Sequence, residues 1–70
     1  MQNFVKRMLE EQKSLEEKIN KLEEFINDPS SQARFKTLSK QEQELDKKQL
    51  EYMKGYSETL QKRIELHEND

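Results

Sequence analysis

A chain of 70 residues with 40% charged and 30% hydrophobic side chains, one Gly, one Pro and no Cys or Trp holds at most one small domain. Such a chain buries only about 60% of its unfolded surface and its core supplies roughly 3–5 kcal/mol, so disulfides, a metal or oligomerisation must support it. The absence of Cys excludes disulfides, a single histidine (His67) argues against structural zinc, and a net charge of −2 with interspersed signs gives no basic field for DNA, RNA or an anionic membrane.

The first residues, Met1-Gln2-Asn3-Phe4-Val5-Lys6-Arg7, contain no apolar run of secretory length, and no segment approaches the roughly 18 apolar residues of a membrane span. The chain therefore reads as soluble and intracellular. Helix one is expected over about residues 4–26, a stretch free of Gly and Pro and rich in Glu, Lys, Leu and Gln. Val5, Met8, Gln12, Leu15, Ile19, Leu22 and Ile26 follow one another at spacings of 3 and 4, the seam of a heptad helix with one polar intruder. Gln12 is a candidate for fixing register at some cost in stability.

Asn27-Asp28-Pro29-Ser30-Ser31 is the one cluster of turn formers, and Pro29 disfavours helical backbone at Asp28, so a turn is expected over 27–31. A short helix over about 31–38 would offer Ala33, Phe35 and Leu38 as apolar contacts. Ser39-Lys40-Gln41-Glu42 then fits a capping box, in which the Ser39 hydroxyl accepts a first-turn N–H and Glu42 reaches back. Helix two is expected over about 40–66, with a core stripe at 45, 49, 53, 56, 60 and 64 and a frayed tail from His67 to Asp70. Gly55 lies inside it at a cost of about 1 kcal/mol relative to Ala. Either the helix tolerates it, or another backbone or a ligand approaches there.

The fold class is all-α: an antiparallel helical hairpin with a short connecting helix, one domain over 1–70, assembling into a homo-oligomeric bundle. Two rods cannot shield both apolar stripes, so another copy is expected to complete the core.

Catalysis finds little support. Gly55 cannot make a phosphate loop alone, no thiol exists, and acidic pairs such as Glu16-Glu17 and Glu23-Glu24 read as solvated helix faces. No catalytic residue and no metal ligand is assigned, no cofactor is implied, and the chain is not expected to be an enzyme. Cations beside the apolar stripes are more informative. Arg63 falls three residues after Leu60, and Lys18 adjoins Ile19. Phe4, Glu11, Lys18 and Phe25 share one flank of the helix-one seam. Lys18 and Arg63 either snorkel, with packed stems and solvated heads, or stand beside an aromatic ring at an intersubunit groove, ready for a flat anionic ligand. Phe4 and Lys18 are about 21 Å apart along one helix, so a small nucleotide touching both must draw them from different protomers.

The stretch F-V-K-R-M-x-x-E-x-x-x-L-x-x-K-I-x-K-L-x-x-F-I (Phe4 to Ile26), followed by Q-L-x-x-M-x-x-Y-x-x-x-L-x-x-R-I (Gln49 to Ile64), resembles a family of very small phage anti-CBASS proteins. These are sponges that sequester cyclic dinucleotide and cyclic trinucleotide signals of bacterial immunity. The two segments cover over half the chain, in the family's order. The resemblance implies a helical homo-oligomer, a hexamer in known members, in the cytoplasm of the bacterial host. It implies two kinds of intersubunit site: Phe4, with Asn3, stacking and Lys18 on phosphate in one, Arg63 in the other, and Arg7 as a further phosphate partner. Phe4 departs from a tyrosine in offering no hydroxyl to a phosphate. The implied partners are cyclic di- or trinucleotides and the chain itself. The competing reading is a helical protein–protein module, or a phage inhibitor of a host complex.

Overall fold

A computed structural model describes residues 3–68. Three helices follow in order: α1 (Asn3–Asn27), α2 (Pro29–Lys36) and α3 (Lys40–Glu68). The chain is all-α among these residues, with α1 packed on α3 as an antiparallel hairpin measuring 48 × 20 × 14 Å.

The heptad seam of α1 forms the inner face. Val5, Met8, Gln12, Leu15, Ile19 and Ile26 are buried and Leu22 is half-buried. Near the chain ends, Val5 and Met8 meet Leu60 and Ile64, the two most completely enclosed side chains. Toward the connection, Leu15, Ile19 and Ile26 pack with Phe35 and Leu50, supported by Leu22, Phe25, Leu38 and Met53. Between the two clusters the seam is polar. The Gln12 amide donates across the helices to Ser57 Oγ at 2.8 Å, which fixes position 12 opposite position 57.

The connection is tighter than the sequence suggests. Asp28 is extended and caps α2, its carboxylate accepting from the Ser30 N–H at 2.9 Å, and Pro29 occupies the first turn. Proline has no N–H to leave orphaned and its fixed φ suits a helix start, so α2 begins two residues before the expected position 31. It ends at Lys36, short of the expected 38. Phe35 is its buried anchor, edge-on to Phe25 at 5.6 Å, whereas Ala33, expected as an apolar contact, is exposed. At the start of α3 the Glu42 N–H donates to Ser39 Oγ at 3.1 Å.

The expected core stripe of helix two is corrected. The inner seam of α3 is 46, 50, 53, 57, 60, 64 and 67, in which Leu50, Leu60 and Ile64 are buried and Asp46, Met53, Ser57 and His67 half-buried. Leu45, Gln49 and Tyr56, assigned to the core from the sequence, are exposed. They belong to a second stripe one residue earlier, at 45, 49, 52, 56, 59, 63 and 66, all of it exposed and flanking the seam. The polar residues Asp46, Ser57 and His67 hide the true seam from hydrophobic periodicity, and the leucines and tyrosines of the outer stripe pull the reading sideways. His67 and Glu68 extend α3, so they are not part of a frayed tail; Asn69 and Asp70 lie outside the described residues, as do Met1 and Gln2.

No helix among the described residues is long and apolar enough to cross a membrane.

Candidate functional site

Position 12 facing position 57 brings the two flanks of the seams together along two edges. On one edge Glu23 pairs with Lys54 at 2.6 Å. The other edge carries most of the candidate site. Here the α1 flank of Phe4, Glu11, Lys18 and Phe25 runs beside the α3 flank of Arg63, Tyr56 and Gln49. The Tyr56 hydroxyl donates to the Glu11 carboxylate across it.

Phe4 sits at the open end, exposed, its ring edge-on to His67 with centroids 4.8 Å apart. Arg63 lies one helical turn before His67 on the same face, close enough to Tyr56 for its charge to be felt there. Arg7 follows Phe4 by three residues and is exposed, as is Asn3. Phe4, Arg7 and Arg63 therefore share one end of the edge. Lys18 does not join them. Because α1 is one unbroken helix, the 21 Å between Phe4 and Lys18 holds. Lys18 stands instead over a shallow groove of about 380 Å³ lined with Lys21, Leu22, Phe25, Gln49 and Met53.

The Glu11–Tyr56 contact divides these two ends. It holds the Tyr56 phenol above its ordinary value, chiefly through the hydrogen bond to Glu11 and then through desolvation, while Arg63 pulls the other way. The edge thus presents an aromatic with cations at each end and a carboxylate between them.

The groove side chains Lys21, Phe25, Gln49 and Met53 were not singled out as a site from the sequence. Lys21 and Phe25 follow Lys18 at i+3 and i+7, a spacing that gathers them on one helix face and could have flagged them. Gln49 and Met53 could not be found that way, since their approach to Lys18 depends on the pairing of α1 with α3. Gly55 meets no backbone inside the hairpin: a Cβ there would have nothing within 4 Å.

No group of three or more His, Cys, Asp or Glu that could hold a metal ion occurs among the described residues. A family model described as Sequestin matches residues 2–66. The chain belongs to the Sequestin family. That span takes in all of α1 and α2, α3 as far as Leu66, and Asn3, Phe4, Arg7, Lys18 and Arg63, and the family's name suggests sequestration of a ligand. No curated protein and no solved structure matches the chain.

Proposed function

We propose that this Sequestin chain captures cyclic oligonucleotide second messengers, cyclic dinucleotides or trinucleotides, and holds them without cleavage, lowering the free signal on which bacterial anti-phage immunity depends. The setting is the cytoplasm of an infected bacterium and the working form is a homo-oligomer.

The observation that carries the reading is the family match over 2–66 combined with an edge on which rings and cations alternate. Flat bases stack on Phe4 or Phe25, and phosphates pair with Lys18, Lys21, Arg63 or Arg7. Burying a phosphate is costly unless it is paired, so each phosphate needs about one cation or N–H. One end of a chain offers a single ring beside its cations, and the Phe4 ring lies about 21 Å from Lys18 along a rigid helix, so one chain cannot stack both bases of a compact ligand. Protomers must share the ligand. Capture is then stoichiometric and the ligand leaves intact when the protein melts.

Differential scanning of the purified protein against a panel of cyclic di- and trinucleotides tests this. The expected result is a rise in melting temperature that Lys18→Ala or Arg63→Ala removes while the oligomer persists in sedimentation. A mass spectrum of small molecules released on heating should show an uncleaved cyclic nucleotide. A flat response across the panel, with a host protein co-purifying at fixed stoichiometry, would replace this reading by that of a protein-binding module.

A further inference from the structure

We propose, resting on the sequestering reading above, that Arg34 of α2 reads the edge of a base stacked on Phe25, so that this end of the molecule selects ligands carrying guanine.

Phe25 is half-buried and stands between two grooves. On its α3 side lies the groove of about 380 Å³ that holds Lys18 and Lys21. On its α2 side lies a second groove, of about 400 Å³, lined with Ala33, Arg34, Thr37 and Leu38. No carboxylate of the described residues lines either one. Neither the Glu23–Lys54 nor the Glu58–Lys62 ion pair draws on any of the three cations. One ring thus has two lysines on one side and an arginine on the other, all within a single chain.

The connecting helix holds these parts in place. Phe35 is 4% exposed and lies against Phe25 with the ring planes at 84°, which fixes the tilt of the Phe25 ring. The Ser31 hydroxyl donates to the Glu24 carbonyl at 2.7 Å and ties the start of α2 to the end of α1. At the other end of α2 the Arg34 carbonyl accepts from the N–H and the hydroxyl of Thr37, at 3.2 and 2.6 Å. The Arg34 backbone is therefore pinned while its side chain is exposed. Ala33 matters through its small size, since a larger side chain at this exposed position would fill the groove beside the ring.

The class of ligand follows from the order of these groups. Lys21 precedes Phe25 by one turn, about 6 Å, and Lys18 precedes it by about 10 Å. A nucleotide's base and phosphates are separated by a similar span. With the base over Phe25 and the phosphates toward the lysines, Arg34 meets the far edge of the base. A guanidinium is a rigid fork of donors with no acceptor. Guanine offers it two adjacent acceptors, O6 and N7, whereas adenine sets an amino donor beside N7. An adenine here would turn donor against donor. The fork accordingly favours guanine by about tenfold or more.

Isothermal titration of the full chain with GDP, ADP, cyclic di-GMP and cyclic di-AMP tests the proposal. The wild type should bind each guanine ligand about tenfold or more tightly than its adenine counterpart. Arg34→Lys keeps the charge and its place in the last turn of α2 but loses the fork. It should bring the guanine ligands down to the affinity of the adenine ones, leaving the adenine ligands and the melting temperature unchanged. Ala33→Leu, which alters no charge, should weaken all four ligands. A wild type that binds none of the four, or binds guanine and adenine equally, overturns the proposal. So does an equal loss of both in Arg34→Lys, or unaltered binding by Ala33→Leu. Should GDP bind with this dependence on Arg34 while neither cyclic nucleotide binds, the guanine site stands and the sequestering reading is what fails. Cyclic nucleotides held without regard to base or to Arg34 would leave sequestration standing and refute the guanine site.

Discussion

Gln12 is the most instructive residue to change. It is buried at 7% exposure in the middle of an otherwise apolar seam. Its amide nitrogen donates to Ser57 Oγ at 2.8 Å and to Glu16 at 3.3 Å, while its carbonyl oxygen is buried with no partner. A net intramolecular hydrogen bond is worth about 1 kcal/mol, and an unsatisfied buried acceptor costs about 1–3 kcal/mol. Leucine has a similar volume and would add about 1.5 kcal/mol or more of apolar burial between the two core clusters. Gln12→Leu therefore loses about 1 kcal/mol, recovers at least as much from the orphaned oxygen and gains the burial, for a net stabilisation of about 2 kcal/mol. In a chain of this length that amounts to roughly 10–15 °C in Tm. Thermal melts by circular dichroism at fixed protomer concentration read this out, since the proposed assembly would make Tm depend on concentration. Ser57→Ala alone should do the opposite, stranding the Gln12 amide for a loss of about 1 kcal/mol. If Gln12→Leu melts at or below the wild-type temperature, the Gln12–Ser57 bond outweighs the burial and the energetic account of the seam is wrong.

Leu60→Ala empties a side chain that is 0% exposed at the centre of the cluster with Val5, Met8 and Ile64. The cost of about 2–5 kcal/mol approaches the whole stability of a domain this small, so loss of the cooperative melt is expected. For Tyr56 the phenol is held protonated to higher pH in the folded chain than its ordinary value of 10.0, chiefly by the bond to Glu11. Stability from this contact is complete below about pH 10 and is lost as pH rises through the folded value. Absorbance titration of a Tyr52→Phe variant should show ionisation above pH 10, moving down when Glu11→Gln is added. Asp28 behaves in the opposite sense. Hydrogen bonds from the Ser30 N–H and hydroxyl hold its carboxyl below 3.8, so its contribution is present above that pH and fades as pH falls through the folded value. Asp28→Asn keeps a capping acceptor but should flatten this acid limb in helicity measured against pH.

Helix one is legible because its inner residues are apolar at six of seven positions and its one exception, Gln12, can be counted into the spacing. The turn is legible from Asp28-Pro29, although proline that stops one helix also starts the next, which periodicity alone does not reveal. Helix two misleads for an opposite reason. Its buried seam carries Asp46, Ser57 and His67, tolerated because they sit at half-exposed levels or, for Ser57, because Gln12 supplies a partner. Its exposed stripe carries Leu45, Tyr52, Tyr56 and Leu66. Apolar counting therefore selects a stripe that starts on the outer face and finishes on the inner one. Of the site, the shared flank of Phe4, Glu11, Lys18 and Phe25 follows from spacing within α1. The neighbours of Lys18 on α3 follow only from interhelix register, which the Gln12–Ser57, Glu11–Tyr56 and Glu23–Lys54 contacts share.

That register also decides how the edge can hold a ligand. Glu11, anchored by Tyr56, places a negative charge between the Phe4–Arg63 end and the Lys18–Phe25 end. An anion lying along one hairpin would have to cross that carboxylate, and a compact one could not reach from one end to the other. Each end by itself offers one ring beside its cations, half of the stacking that two bases require. Under the proposed function the second ring would come from a copy whose matching end lies alongside. Since the two ends differ in their aromatic neighbours and in their cations, ends paired like with like would build two kinds of cavity rather than one. Glu11→Gln separates this view from a simple charge count. Removing the carboxylate should tighten anions that straddle the middle of the edge, while leaving those seated wholly at the Lys18 groove nearly unchanged. A uniform gain for every anion would mean that Glu11 contributes only to the overall field and does not partition the edge.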